Sequence, residues 1–217
     1  MTVINPDALK KLSDICAQLE IPMSVALHGR GTAIESMRDL LGIDSAEKGI
    51  VFSVAGEEKT KEYMNRLRRT LYIGVPGHGI AWAVPIKSVG GGKILAYLND
   101  GRQDARYTPE FNFSYELIVA IANEGRTDAV MNAARAAGAM GGTVLHGKGT
   151  TSPESEKFLG VSIAKEKEVI LIVARKEQKA DIMRSIMTRA GADTDAGAVV
   201  FSVPVSEVAG FGMFDET

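Results

Sequence analysis

His28-Gly29-Arg30-Gly31-Thr32 returns as His146-Gly147-Lys148-Gly149-Thr150, from position 28 to position 146, an offset of 118. The chain has 3 histidines, and two of them open these copies. The match spreads outward from the pentapeptide. Leu41-Gly42-Ile43 falls on Leu159-Gly160-Val161 at the same offset. Ile50-Val51-Phe52-Ser53-Val54 falls on Val169-Ile170-Leu171-Ile172-Val173, from position 50 to position 169, an offset of 119. Met64 and Leu67 then meet Met183 and Ile186, and Trp82-Ala83-Val84-Pro85-Ile86 meets Phe201-Ser202-Val203-Pro204-Val205. One residue inserted in the intervening loop accounts for the change. A spacing near half the chain predicts a duplicated unit.

Periodicity predicts the elements of each copy. Asn5-Pro6 reads as a helix N-cap with proline behind it, and Ala8, Leu9, Leu12, Ile15, Cys16 and Leu19 repeat at helical spacing. Met23 to Leu27 and the continuous apolar run Ile50 to Val54 read as strands, Glu57 to Thr70 as a helix, and Gly79 to Val84 as a strand stopped by Pro85. In the second copy Leu117 to Ala122, Thr143 to Leu145, Val169 to Ala174 and Val199 to Val203 read as strands. Helices are predicted from Asp128 to Ala137, capped by Thr127, and from Lys176 to Ala190. Met64, Met183 and Met187 lie on apolar helix faces, and Trp82 matches Phe201, so all are expected in the core or an interface. The order β-α-β, long loop, β-α-β is the split βαβ plan: α+β, two ferredoxin-like domains in tandem. The predicted divisions are repeat 1 over 1–98, with a first strand that is short or missing, a polar linker over 99–112, and repeat 2 over 113–217.

Composition sets limits on partners. Net charge is −2 in 217 residues, which gives no electrostatic footprint for nucleic acid. Apolar content of 45% and charged content of 24% are those of an ordinary globular chain, and no run approaches a membrane span. The single cysteine, Cys16, suits a reducing compartment, and a cytoplasmic location is expected.

This order of elements, with about twenty residues after the second strand, resembles the nitrogen-regulatory PII signalling proteins. The residues behind the resemblance are the Gly-x-Gly steps Gly29-Arg30-Gly31 and Gly147-Lys148-Gly149, the long loops over 29–48 and 147–167, and the glycine turns before the fourth strands. Those turns read Gly77-His78-Gly79-Ile80 and Asp195-Ala196-Gly197-Ala198, and each strand ends in an apolar-proline step. The resemblance implies a regulatory protein rather than an enzyme. It implies clefts lined by loop base and glycine turn, a small anionic effector such as ATP, ADP or 2-oxoglutarate, a target protein met by the loops, and a homo-oligomer. It departs from the family at Ile80 and Ala198, which stand where a phosphate-binding lysine is expected, and neither loop carries the tyrosine that is modified in the family.

Two sets of residues carry candidate chemistry. Arg30 and Lys148, each between glycines and followed by Thr32 or Thr150, would make an anion-binding turn if the glycines adopt positive φ and their amides converge. The expected effector site therefore comprises His28, Gly29, Arg30, Gly31, Thr32, Gly77, His78 and Gly79, and in the second copy His146, Gly147, Lys148, Gly149, Thr150 and Gly197. The alternatives are a metal-binding oligomer that uses His28, His78 and His146, and a PII-like protein with vestigial nucleotide sites. Gly142 to Lys148 spells most of a phosphate-binding P-loop, but Gly149 stands where Ser or Thr is required and the flanking elements come in the wrong order.

Overall fold

The computed structural model describes residues 1–33, 46–86, 112–148 and 166–210, apart from Pro22 and Pro76. Its elements run β1 (Thr2–Ile4), α1 (Leu9–Gln18), β2 (Met23–Gly31), β3 (Glu47–Val54), α2 (Glu57–Thr70) and β4 (Gly79–Ala83) in the first half. The second half holds β5 (Tyr115–Asn123), α3 (Thr127–Ala136), β6 (Thr143–Lys148), β7 (Glu166–Arg175), α4 (Lys176–Ala190), β8 (Val199–Val205) and β9 (Glu207–Ala209). The spatial order is β8-β5-β7-β6-β2-β3-β1-β4-β9, a single nine-stranded sheet. Within it β2-β3-β1-β4 repeats the order of β6-β7-β5-β8, and the pairings within each half are antiparallel. This is the ferredoxin-like α+β arrangement in each half.

Strand alternation sorts the apolar side chains into three cores. Ile4, Val51 and Ala81 face α1 and α2, where they meet Leu12, Ile15, Met64 and Leu67. Ile118, Ile170 and Ile172 face α3 and α4, where they meet Val130, Met131, Ile182 and Ile186. The opposite face carries no helix among the described residues, and there Val3, Ile50 and Trp82 of the first half join Leu117, Val119, Leu171, Val173 and Val205 of the second. The helix-free faces of the two halves thus bury one another.

The ends of the sheet also meet. β8 lies at one end and β9 at the other, yet only Ser206 separates them in the chain. Consecutive Cα atoms are about 3.8 Å apart, so the sheet must curl until its margins are adjacent. The Ser206 amide donates to the Ala83 carbonyl at 2.9 Å at the crossing.

The structure corrects several sequence expectations. The first strand, expected to be short or missing, is the three-residue β1, and what changes is its place, between β3 and β4 rather than at an edge. β2 does not stop at Leu27; it continues through the Gly-x-Gly step to Gly31. The connections are correspondingly shorter than 29–48 and 147–167, because β3 begins at Glu47 and β7 at Glu166. Met187 is exposed at 60% and Phe201 at 45%, so neither is core like Met64 and Trp82. Asn5 and Thr127 place no side-chain cap on their helices. β9 was not anticipated. The linker expected over 99–112 falls outside the described residues except for Asn112, as do the helical turn read through Met37, Leu40 and Leu41 and the strand read from Lys93 to Leu98.

Candidate functional site

In each half, the start of the strand after the long connection is tied to the glycine turn before the fourth strand. The tie is an asparagine at the end of the first strand. In the first half the Lys48 ammonium donates to Asn5 Oδ1, and Asn5 Nδ2 donates to the Gly77 carbonyl at 3.3 Å. In the second half Lys167 Nζ donates to Asn123 Oδ1 at 2.6 Å, and Asn123 Nδ2 donates to the Asp195 carbonyl at 3.0 Å. Asn5 and Asn123 are related by the first offset, and Lys48 and Lys167 by the second. The asparagine and the lysine therefore correspond in the two halves, while the turn carbonyl that each asparagine reaches differs by one position, since Gly77 falls on Ala196 at the second offset.

Register places both junctions on the helix-free face. Lys48 alternates with Ile50, and Lys167 with Val169 and Leu171, all members of the shared core. Each ammonium donates to a neutral amide oxygen. Burial holds the Lys48 pKa below its ordinary value, partly offset by the Asp7 carboxylate. Gly197 adopts φ +56, and a Cβ there would come within 3.0 Å of Asn123 Nδ2, so the turn needs glycine on both counts.

The repeated pentapeptide does something else. Gly29 and Gly31 are extended, not left-handed, so their amides do not converge into an anion nest. Instead the tail of β2 joins the halves: Arg30 pairs with Val144 and Gly31 with Thr143 of β6. Thr32 extends this seam, its amide and hydroxyl donating to the Gly142 carbonyl at 3.0 and 2.9 Å, while the Gly142 amide donates back to Thr32 Oγ1 at 2.8 Å. The Arg135 guanidinium donates to the Thr32 carbonyl. Gly29 is required by contact: a Cβ would come within 2.6 Å of the Val144 carbonyl oxygen and 2.3 Å of Ile50 Cδ1. Gly147, its counterpart, has nothing within 4 Å of that position.

The pentapeptide side chains also stand apart from the junctions. His28 pairs with Gly49, Arg30 with Glu47 and His146 with Glu168, all on the helix-bearing face. His28 and Arg30 are exposed. His78 sits in the glycine turn, but its Nδ1 engages the Leu71 carbonyl at 3.2 Å and its ring meets Tyr72 edge-on. His146 Nδ1 lies 4.0 Å from Glu168 Oε1. Among the described residues no three His, Cys, Asp or Glu side chains gather as a metal ion would require. Ile80 contributes to the shared core and Ala198 is buried, so neither presents charge. Lys148 reaches its place in β6 opposite Glu166, while Gly149 and Thr150 lie outside the described residues. The sequence reading missed Asn5, Asn123, Lys48 and Lys167, although the offsets that align the apolar strands also align these four polar positions.

The fold and these junctions define a class: a ferredoxin-like α+β architecture with a glycine turn facing a loop base. The family model for Nitrogen regulatory protein P-II matches residues 115–211, a span covering somewhat less than half of the chain. The second half is thus PII-like. Among solved structures, Arabidopsis thaliana PII bound to citrate is similar at 23% identity, covering 46% of this chain and 81% of that one with a TM-score of 0.35. No curated protein matches the chain. No helix among the described residues is long and apolar enough to cross a membrane.

Proposed function

We propose that the chain is a tandem of two PII-like units that binds a small anionic effector at the two Lys-Asn-glycine-turn junctions and signals through the connections that begin beside them. The observation that carries this is that the Lys48–Asn5 hydrogen bond recurs as Lys167–Asn123, and that each asparagine also reaches a carbonyl of the turn before the fourth strand. A cation held by a neutral amide, beside a turn of glycines, offers charge-assisted donors to a carboxylate or phosphate. In this reading Gly77, His78, Gly79 and Gly197 line the effector site, and Lys48 and Lys167 supply the charge that the sequence suggested at Arg30 and Lys148. The P-II match over 115–211 supports a regulatory rather than a catalytic role, a target protein for the loops, and assembly into a homo-oligomer in the cytoplasm.

Calorimetry tests this with ATP, ADP, AMP, 2-oxoglutarate, citrate and bicarbonate. Heat with one of them, lost at one class of site in Lys48→Met and at the other in Lys167→Met, is the expected result. A properly folded chain that gives no heat and no thermal shift with any of the six overturns the proposal.

A further inference from the structure

The sheet ends in two different ways. At one margin β9 has only three residues and carries a charge, Glu207, held by Arg68 of α2 at 3.3 Å. The same guanidinium donates to the Val208 carbonyl at 2.9 Å. Short length and charge are ordinary means of closing a strand edge to further pairing. β9 in turn covers β4, with Ala83 paired to Glu207, Trp82 to Val208 and Ala81 to Ala209. At the other margin β8, the counterpart of β4, is the last strand among the described residues. Its sequence, Val199-Val200-Phe201-Ser202-Val203-Pro204-Val205, contains no charge.

Hydrogen bonds fix which groups of β8 face outward. Just before the strand the Ala198 amide donates to the Ala190 carbonyl at 2.9 Å, and just after it the Ser206 amide donates to the Ala83 carbonyl at 2.9 Å, so neither turns to β5. Alternation in an antiparallel pair then directs the Val200 and Ser202 amides away from β5 as well. Pro204 has the same parity, the one at which an edge strand tolerates a residue without an N–H. The open edge is therefore a window from Val199 to Val203, closed at both ends by hydrogen bonds within the chain.

Both faces of this window carry uncovered apolar groups. On the helix-free face Val199 and Phe201 are each 45% exposed, although they stand opposite Ile121 and Val119 at the shared core. On the other face a groove of about 710 Å³ lies between β8 and α4, lined by Met183, Met187 and Ser202 together with Lys179 and Arg184. The two cations are already matched within the chain, Lys179 by Glu116 at 3.1 Å and Arg184 by Asp181 at 2.8 Å. The edge thus fits an uncharged strand, apolar on the face that continues the shared core. A second copy of β8 is such a strand, and it would bury its own open edge in the same contact.

We propose that β8 pairs antiparallel with β8 of a second copy, an isologous contact that joins the two chains through one continuous sheet. The outward groups set the register. Val200 of each copy opposite Ser202 of the other uses every outward amide of both windows. The two Phe201 side chains then meet on the dyad, Val199 lies against Val203, and Pro204 falls outside the paired stretch. The contact carries the shared core of each chain across to the next. It gives the homo-oligomer of the preceding section a definite surface, and it stands on the strand edge rather than on the effector junctions.

Sedimentation equilibrium of the full chain tests the contact. The unaltered protein should show twice the chain mass or an even multiple of it. Phe201→Lys, at a position exposed in the single chain, should halve that mass while circular dichroism stays unchanged. A monomeric unaltered protein overturns both this contact and the assembly. An oligomer whose mass Phe201→Lys leaves in place overturns the contact alone. Position 201 also gives a direct reading of the register. Non-hydrogen-bonded residues facing one another across antiparallel strands have Cα atoms about 4.5 Å apart, within the range a disulfide spans. Phe201→Cys, oxidised in dilute solution and mapped by mass spectrometry, should become a covalent dimer joined at 201, whereas Ser202→Cys should not. No dimer from a folded Phe201→Cys chain, or equal cross-linking at the two positions, also overturns the proposal.

Discussion

The two halves begin their first helices with opposite chemistry. In the second, Glu168 reaches from β7 to the start of α3, where its Oε2 accepts from the Arg126 and Thr127 amides at 3.1 and 2.8 Å and from the Thr127 hydroxyl at 2.8 Å. A carboxylate there satisfies orphan amides and complements the helix dipole. In the first half the equivalent position is Gly49, and Leu9 of α1 packs down on it so closely that a Cβ would fall 2.7 Å from Leu9 Cδ2. One backbone plan therefore tolerates either a buried anion or a plain steric contact. The lysine–asparagine hydrogen bond beside the glycine turn, by contrast, is kept in both halves. What two copies vary is scaffolding chemistry; what they hold in common is the better guide to a site.

The largest test of this comparison removes what the halves share. Trp82→Ala in the common core should cost about 3–5 kcal/mol, and urea unfolding should show both halves weakened together; a loss confined to the first half would mean that the helix-free faces are not a joint core. Trp82 Nε1 is buried with no hydrogen-bond partner among the described residues, so Trp82→Phe, which gives the residue that position 201 carries, should cost far less. Next comes the carboxylate. Glu168→Ala should destabilise the second half by about 2 kcal/mol, seen as faster amide exchange in α3 with α1 unaffected.

The glycines of the two pentapeptides separate more finely. Gly29→Ala should cost about 1–3 kcal/mol by forcing β2 from β6, whereas Gly147→Ala should stay within about 0.5 kcal/mol in thermal unfolding. Equal effects would remove the seam as the reason for Gly29. The smallest effect depends on pH. Tyr63 is buried with its hydroxyl 2.8 Å from Thr2 Oγ1, and burial pushes its pKa up to about 12 from 10.0. The folded protein holds this proton longer than the unfolded chain does. Stability from this group is thus complete below pH 10 and falls as pH rises towards 12, by about 1 kcal/mol at pH 11. Tyr63→Phe should flatten that decline.

Most of the fold was legible because it depends on period and repetition. Glu57–Thr70 and Lys176–Ala190 form helices with the bounds their apolar spacing sets. Other features depend on contacts between distant residues. Glycine permits both a turn and a strand, so Gly29-Arg30-Gly31 reads as a bend until Val144 is known to lie against it. β9 has three residues, too few to show a period. The glycine turns were recognised, but their partners were not, because Asn5 and Lys48 are single polar residues that become a pair only through strand pairing. The same blindness let Met187 pass as core: its spacing is that of an apolar helix face, and only the uncovered groove exposes it.

Ser206 gives the chain its mechanical character. A lone residue carries the polypeptide from the margin of one half to the margin of the other, with no slack to absorb displacement. Any event that rotates one half must either pull β9 off β4 or drag its neighbour along. A ligand that shifts one glycine turn would therefore be felt at the opposite lobe as tension along a taut stitch, and the two lobes would answer as one lever rather than as independent switches.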